Sequence, residues 1–240
     1  MYTLLTGLYR ELTRKEEFYV IILGLDNAGK TTASDPSPIQ KSRPAPSIDS
    51  RVFTSFAYID SPITAGCGTI TQTLLEKIKS LFTGLPGMAP EKIAPTVGLN
   101  IGKIDTGHSR INFWDLGGQR ELHSLWDKYY TECHAILFVV DATDQGRLEE
   151  VKTTFEGVIT NDHIEGVPIL MLANKQDMDE ALKVHEIKEL FNPVAVKLGA
   201  RDSKVLPVSA LKGDGIQEAV DWLLLRLQRN KTNRPPVYRD

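Results

Sequence analysis

The chain has 240 residues, of which 25% are charged and 41% hydrophobic, the proportions of an ordinary globular domain. Its net charge of −3 gives no electrostatic reason to expect a nucleic acid as partner. Two cysteines, Cys67 and Cys133, are too few for a disulfide framework, which favours a reducing compartment such as the cytosol.

The first predicted element is an amphipathic helix over residues 1–15. Its apolar residues recur at the i, i+3, i+4 spacing of one helical face: Leu4, Leu5, Leu8, Tyr9 and Leu12. Such a face suits a helix that is released onto a membrane or a partner, with a helix packed on its own domain as the alternative. No run in the sequence approaches the roughly 20 apolar residues that span a bilayer, and no signal peptide is predicted.

Beyond residue 15, short apolar runs alternate with helical patterns. Strands are predicted at 18–23, 111–114, 135–140, 167–172 and 205–208, and helices at 121–130, 147–159, 184–198 and 216–227. This alternation is typical of a parallel sheet covered by helices on both faces. Residues 99–105 and 110–115 read as a hairpin joined through Thr106-Gly107, which adds an antiparallel edge strand. The predicted fold is therefore α/β with a six-stranded, mostly parallel sheet.

A phosphate-binding loop follows the first strand. Gly24-Leu-Asp-Asn-Ala-Gly-Lys-Thr31 matches G-x-x-x-x-G-K-[ST], in which glycines let successive N–H groups face phosphate oxygens. Lys30 would place a cation on the phosphates, and the Thr31 hydroxyl is a suitable Mg²⁺ ligand. By itself the motif predicts a nucleoside triphosphate without specifying the base. The residues predicted to contact it are Gly24, Asp26, Asn27, Ala28, Gly29, Lys30, Thr31 and Thr32.

Two further segments are predicted to surround the γ-phosphate. Asp115 ends an apolar strand and can hold the Mg²⁺ shell through water, while Gly118 can offer its N–H to the γ-phosphate and Gln119 can orient an attacking water. Thr96 can reach the metal and the γ-phosphate only when that phosphate is present, which predicts an order–disorder switch. The predicted catalytic residues are Gln119 and Lys30; the predicted metal ligands are Thr31, Thr96 and Asp115.

The base is indicated by Asn174-Lys175-Gln176-Asp177, which follows a predicted strand. The Asp177 carboxylate can accept from both the N1–H and the exocyclic amine of guanine, whereas adenine presents a different pattern. Asn174 can bridge to the phosphate loop, and the Lys175 stem can cover the base. Ser209-Ala210-Leu211 should supply a backbone N–H to the guanine O6. Together these residues favour GTP over ATP and argue against a P-loop ATPase or nucleotide kinase.

These motifs resemble those of the Arf and Arf-like small GTPases. The segments that carry the resemblance are GLDNAGKTT, PTVGLN, FWDLGGQ, LWDKYY, LANKQD and the C-terminal SAL, and it covers nearly all of residues 1–31 and 74–235. The resemblance implies a Mg²⁺-dependent GTPase that cycles between GDP and GTP with exchange factors, GTPase-activating proteins and effectors. It also implies a nucleotide-coupled shift of the hairpin 99–114 and an effector surface comprising Leu99, Trp114 and Tyr129. Ordinary core or surface packing is the less favoured explanation of these three residues.

Met1-Tyr2 and Asn233-Arg-Pro-Pro236 are most similar to the Arf-related branch, which implies work in vesicle trafficking at the trans-Golgi. Tyr2 stands where myristoylated relatives need glycine, so N-myristoylation is not expected. The resemblance then implies a protein shared between cytosol and Golgi membrane, docked peripherally through its N-terminal helix. It divides the chain into a GTPase domain at 16–32 and 73–232 and a C-terminal tail at 233–240.

Residues 33–72 have no counterpart in this pattern. They are rich in Ser, Pro and Thr and show no hydrophobic periodicity. This composition predicts an irregular insertion, which falls in the first turn of the phosphate-loop helix. Joining Thr32 to Thr73 or Leu74 restores a family-like helix, so the segment resembles a translated retained intron; a genuine lineage-specific loop is the rival interpretation. If the insertion disrupts that helix, the alternative function is a nucleotide-binding scaffold with little turnover.

Overall fold

The computed structural model describes residues 15–25, 70–88 and 98–238. Most of the predicted N-terminal helix, nearly all of the insertion, and the predicted site residues 26–32 and Thr96 lie outside these ranges.

The described residues form one sheet of six strands in the order β2-β3-β1-β4-β5-β6. Every neighbouring pair is parallel except β2 and β3, which form the predicted hairpin. The bounds are β1 Glu16–Gly24, β2 Leu99–Thr106, β3 Ser109–Leu116, β4 Ala135–Asp141, β5 Ile169–Asn174 and β6 Ser203–Pro207. The predicted fold class is therefore confirmed.

The α-helices within these ranges are α1 Ile70–Thr83, α2 His123–Tyr130, α3 Leu148–Ile159, α4 Val184–Ala195 and α5 Ile216–Arg229. The structure corrects some predicted ends, because short 3₁₀ turns flank three of the helices: Arg120–Leu122 precedes α2, Gln145–Arg147 precedes α3, and Val196–Leu198 follows α4. Such tightened turns are common where helices begin and end. None of these helices combines the length and apolar character needed to cross a bilayer.

Strand β1 separates two hydrophobic cores. Its even-numbered residues Phe18, Val20 and Ile22 pack in the core that contains residues of α1 and α5, and its odd-numbered residues pack in the core that contains residues of α2, α3 and α4. Side chains alternate across a strand, so an uninterrupted apolar run is what a sheet covered on both faces requires.

Helix α1 begins three residues before the predicted restart at Thr73, at Ile70. Thr71 is only 5% exposed and continues the buried face of Leu74 and Leu75, since it precedes them by three and four positions. It also reaches the end of β1: a Cβ placed on Gly24 would lie 3.1 Å from Thr71 Cγ2. Residues 70–72, predicted to be irregular, are therefore helical, because this face packs on the sheet.

The C-terminal tail packs on the GTPase domain. Val237 forms an antiparallel bridge with Glu17 of β1, with both N···O distances 2.9 Å. The Arg234 guanidinium donates to the carbonyls of Thr131 and His163, and His134 Nε2 lies 3.0 Å from the Pro235 carbonyl. Residues 234–237 thus fasten the tail across the amino-terminal edge of the sheet.

Candidate nucleotide-binding site

The predicted site residues that the structure describes gather at the carboxyl-terminal edge of the sheet. Strand pairing places Asp115 beside Ile22, two residues before Gly24, and Asn174 beside Asp141 at the end of β4. The 209–211 segment follows β6 at the same edge. Ligands of open α/β sheets bind at this edge, because the loops that leave parallel strands converge there.

Asn174 ties the end of β5 to the loop after β6. Its side chain is buried, and its Oδ1 accepts a hydrogen bond from the Ala210 N–H at 2.9 Å. The predicted bridge from Asn174 to the phosphate loop involves residues outside the described ranges. The observed bond aligns two loops that both contribute to the predicted guanine pocket.

The Asp177 carboxylate is held by Ser209. The Ser209 hydroxyl donates to Asp177 Oδ1 at 2.7 Å and accepts from the Lys212 N–H at 3.0 Å. Because that hydroxyl proton is committed to the carboxylate, the orientation of Asp177 is fixed before a base binds. An oriented carboxylate at this position can accept from the two N–H groups on one edge of guanine.

Lys175 has a strained backbone and a paired side chain. Its φ of 64° is a left-handed conformation that non-glycine residues adopt rarely, at a cost of order 1–3 kcal/mol. Its ammonium lies 2.7 Å from Asp141 Oδ2. The ion pair holds the Lys175 ammonium beside the end of β4, and coverage of the base by its stem stays a prediction.

Asp141 is a supporting residue that the sequence analysis missed. Burial by itself would raise the pKa of its carboxyl group, but hydrogen bonds from Lys175 and Thr143 outweigh burial and lower that pKa. Thr143 donates to Asp141 Oδ1 from its backbone N–H at 3.0 Å and from its hydroxyl at 2.7 Å. Its position in the sequence could have identified it, because a carboxylate that ends a buried parallel strand lies at the edge of the sheet where ligands bind.

Gln176 braces the same loop from behind. Its backbone N–H donates to the Val208 carbonyl at 3.1 Å, and its side-chain amide donates to the Leu182 carbonyl at 2.9 Å. No role for Gln176 was predicted from the sequence. Its contacts fix the loop between Asn174 and Asp177 and therefore the relative placement of the predicted base-reading groups.

The three residues predicted to serve the guanine O6 differ in their hydrogen bonds. The Ser209 N–H donates to the Asp214 carbonyl at 3.0 Å, and the Ala210 N–H donates to Asn174 Oδ1. A guanine O6 would therefore either share the Ala210 N–H with Asn174 or take that of Leu211, whose side chain is exposed.

On the γ-phosphate side, the segment after β3 is braced by α2. Trp126 Nε1 donates to the Gly117 carbonyl at 3.2 Å, and His123 Nε2 lies 3.2 Å from the Gly118 carbonyl. Both glycines are buried, whereas Gln119 is exposed in an extended conformation. This leaves the Gln119 side chain accessible for the predicted water-orienting role.

The one predicted metal ligand within the described ranges is Asp115. Its side chain is fully buried next to the end of β1, and a carboxylate is a ligand type that Mg²⁺ accepts, directly or through water. Thr31 and Thr96, the other two predicted ligands, lie outside the described residues. The oxygen donor set that the sequence predicts is chemically suited to Mg²⁺ rather than to a softer metal.

The predicted effector residues lie together. Trp114 and Tyr129 form an edge-to-face pair with ring centroids 5.2 Å apart, and Leu99 packs against the same core. Trp114 is 9% exposed. The cluster is consistent with either interpretation, an effector surface or ordinary packing, and the effector role stays a prediction.

The fold is shared with a solved small GTPase. A solved structure described as the Arl6 BBS3 small GTPase from Trypanosoma brucei, with a bound nucleotide analogue, superimposes with a TM-score of 0.61. The match covers 89% of this chain and 98% of that one, at 24% identity, and supports the fold.

Sequence comparisons define the family. The model of the ADP-ribosylation factor family matches residues 71–227. ADP-ribosylation factor-like protein 3 of Saccharomyces cerevisiae is 42% identical over 240 residues, covering all of both chains, and ADP-ribosylation factor-related protein 1 of Bos taurus is 43% identical, covering all of this chain and 99% of the relative. The chain therefore belongs to the ADP-ribosylation factor family of small GTPases, which bind GTP and GDP and hydrolyse GTP.

Proposed function

We propose that this chain is a Mg²⁺-dependent GDP/GTP switch in Golgi vesicle trafficking, with the nucleotide site at the residues named above. The observation that carries the guanine assignment is the pair of linked hydrogen bonds on the base side, Ser209 to Asp177 and Ala210 to Asn174. They hold an oriented carboxylate and a buried amide at the edge of the sheet where β1 also ends, just before the predicted phosphate loop. Membership of the family supports the switch, and the resemblance to the Arf-related branch supports the Golgi setting.

Hydrolysis proceeds in this proposal by in-line attack of water on the γ-phosphate. Gln119 orients the water, and Lys30 neutralises charge on the phosphates. Asp115, Thr31 and Thr96 would hold Mg²⁺, which would supply further charge stabilisation. Positioning and electrostatics provide most of the rate enhancement in such reactions. No arginine in the sequence is assigned to the transferring phosphate, so turnover should be slow without an activating protein.

The hydrolysis assignment is tested by Gln119→Leu. Nucleotide affinity should be retained, while GTP hydrolysis stimulated by an activating protein should fall on the order of 100-fold, since the water loses its orienting partner. The measurement is single-turnover phosphate release from the GTP-loaded chain. Gln145→Leu, which removes an exposed glutamine outside the site, is the matched control. Stimulated turnover at the parent rate would place water positioning elsewhere.

The membrane assignment concerns the segment before residue 15. Lys15 pairs with Asp105 of the hairpin at 2.9 Å, and the Glu16 N–H donates to the His108 carbonyl at 3.0 Å, so this segment enters the domain at the hairpin turn. That position would couple a shift of the hairpin to release of the N-terminal helix.

Replacing Leu4, Leu5 and Leu8 with alanine should move the protein from Golgi membranes to the cytosol without changing GTP affinity. Each leucine contributes about 1–2 kcal/mol of apolar transfer, enough together to abolish a marginal anchor. Membrane fractionation is the measurement, and Thr3→Ala with Thr6→Ala is the control. Unaltered fractionation of the triple variant would make the helix a packing element.

A nucleotide-binding scaffold with little turnover is the second candidate, favoured by the start of α1. This helix takes its first turn from residues 70–73, whereas the family-like arrangement places Lys30, Thr31 and Thr32 directly before Leu74. Lys30, Thr31 and Thr32 precede Thr71, Gln72 and Thr73 by 41 positions, and only one of these two sets of residues can form the first turn. A full-length chain that binds guanine nucleotide but shows no stimulated hydrolysis would select the scaffold.

A further inference from the structure

Strand β6 forms one edge of the sheet, and β2 of the hairpin forms the opposite edge. Five strand spacings of about 4.8 Å separate the two edges, so β6 lies roughly 24 Å from the hairpin strand that carries the predicted effector residue Leu99. An edge strand presents a row of backbone N–H and C=O groups that can pair with a further strand. Any binding surface at β6 is therefore separate from the predicted effector surface.

The outward backbone groups of β6 belong to its odd-numbered residues. Asp202 and Val208, directly before and after the strand, both form backbone hydrogen bonds with β5. Because backbone groups alternate in direction along a strand, Ser203 and Val205 turn their N–H and C=O groups away from the sheet. Among the described residues, these groups have no backbone partner outside the sheet, and no strand lies beyond β6.

The open part of this edge is short. Pro207, the last residue of β6, has no N–H, and a Cβ placed on Gly215 would lie 2.3 Å from the Pro207 carbonyl oxygen. The start of α5 therefore covers that end of the strand. A further strand can pair with Ser203 and Val205, which limits it to a few residues.

A cavity of about 260 Å³ opens between α4 and β6. Its floor consists of apolar residues that are at most 4% exposed: Phe155, Ile169, Met171 and Phe191. Its mouth consists of exposed residues of α4 and β6: Lys188, Asn192, Ser203 and Lys204. Pockets for small-molecule ligands usually measure roughly 300–1,000 Å³, so this smaller cavity suits a single apolar side chain.

The charged residues that line the cavity are both lysines. Lys204 pairs with Glu218 of α5 at 2.8 Å. Lys188 takes part in none of the ion pairs among the described residues. The charge at the mouth therefore favours an occupant with an acidic group on the α4 side.

We propose that the β6 edge binds an extended peptide segment of a partner protein, with an apolar side chain in the cavity and an acidic side chain two residues away, beside Lys188. Strand addition of this kind combines main-chain hydrogen bonds with pockets for alternate side chains. Side chains two residues apart lie on the same face of a strand, so both would face α4. A helix or an acyl chain in the cavity would leave the N–H groups of Ser203 and Val205 unpaired.

The test uses the full chain loaded with GDP and four capped peptides, acetyl-STXTDTS-amide, in which X is leucine, isoleucine, methionine or phenylalanine. The Ser203 and Val205 amides should exchange rapidly in the free chain, and saturating peptide should slow their hydrogen exchange. The methyl resonance of Met171, on the cavity floor, should shift with the same saturation curve. Alanine at X should weaken binding about tenfold, because the cavity loses its apolar occupant.

Two variants test the main-chain and cavity contacts separately. Ser203→Pro removes an outward N–H without breaking a hydrogen bond to β5, and should weaken binding about tenfold or more. Ala195→Phe places a ring at the cavity lining and should have an effect at least as large. Val196→Phe is the matched control, because Val196 is 82% exposed and lies outside the lining, and it should bind like the parent.

The charge contact is tested by a double-mutant cycle. Asparagine in place of the peptide aspartate should weaken binding fivefold or less, as expected for an exposed ion pair of about 1 kcal/mol or less. Lys188→Gln should bind the aspartate and asparagine peptides equally. A preference for aspartate that Lys188→Gln retains would contradict the assigned orientation of the peptide.

Unchanged exchange of the Ser203 and Val205 amides with all four peptides would overturn the proposal. If decanoate shifts the Met171 resonance while no peptide protects either amide, the cavity is an acyl-chain site instead. Protection that increases with protein concentration in the absence of peptide would assign the edge to a second copy of this chain, which also overturns the proposal. If Ser203→Pro or Ala195→Phe does not fold, the hydrogen exchange of the parent chain decides.

Discussion

The base side and the phosphate side of the nucleotide site are built from the chain in different ways. On the base side, Asn174 ends β5 and Asp177 follows it, Ser209 and Ala210 follow β6, and two side-chain hydrogen bonds join the two segments directly. On the phosphate side, the loop that follows Gly24 must continue into a helix, yet α1 begins at Ile70. The insertion falls at that junction.

The difference shows which kind of site tolerates added sequence. A site assembled from separate strand ends depends on the sheet, and the strands that carry the base side are all downstream of the insertion. A site that spans a loop and the first turn of a helix requires the loop to run directly into that helix, because the N–H groups of the first turn hold the phosphates. We therefore expect base selectivity to survive where phosphate affinity is weakened.

The largest expected effect on the base side comes from Asp177→Asn. An amide offers a donor where the carboxylate accepted, so guanine nucleotide affinity should fall roughly 10²–10⁴-fold, the loss of two charge-assisted hydrogen bonds. Xanthine nucleotides should gain, because xanthine carries a carbonyl in place of the amine. Competition binding with GTP, XTP and ATP measures both changes. Unaltered GTP affinity with no gain for XTP would remove the assignment.

Asn174→Ala should have an intermediate effect. It leaves the buried Ala210 N–H without its acceptor, at a cost of about 1–3 kcal/mol in the free energy of unfolding, and it loosens the two loops against each other. Urea unfolding with and without GDP separates the stability loss from the binding loss. Asn192→Ala, an exposed site on α4, is the control. A variant as stable as the parent would show that the bond contributes nothing to the base side.

Asp141→Asn should have the smallest effect. It removes the ion pair that holds the Lys175 ammonium, and a partly exposed pair is worth at most about 1 kcal/mol, so guanine nucleotide affinity should fall roughly fivefold or less. Equilibrium binding of GDP measures the change, with Asp144→Asn as the control. A loss as large as that of Asp177→Asn would mean that Asp141 contacts the nucleotide itself.

The sheet could be predicted from sequence because its signals are local. The continuous apolar run of 18–23 and the hairpin turn at Gly107, whose φ is 58°, each specify their structure within a few residues. The positions of Asn174 and Asp177 could also be predicted, because they come at or just after the end of a predicted strand and the carboxyl ends of parallel strands meet at one edge of the sheet.

What could not be predicted depends on contacts between distant segments. Asp141 supports Lys175 only because β4 and β5 pair in a register that sets Asp141 beside Asn174, and no pattern in the sequence fixes that register. The start of α1 was predicted too late because Thr71 is polar; its burial follows from packing against Gly24, a residue 47 positions earlier. The tail at 234–237 gave no sequence signal of its bridge to β1.

The most direct test of this account is nucleotide binding by the full chain beside two deletion variants that differ by one residue. Deleting 33–72 joins Thr32 to Thr73; deleting 33–73 joins Thr32 to Leu74 and places Lys30, Thr31 and Thr32 where Thr71, Gln72 and Thr73 stand. Closing a loop of roughly 40 residues costs on the order of 3 kcal/mol. Both variants should therefore melt higher and bind GTP at least about tenfold more tightly, the second more so, with the preference for GTP over ATP unchanged. Equal affinity and equal melting temperature in all three chains would contradict the account and make the insertion a benign loop.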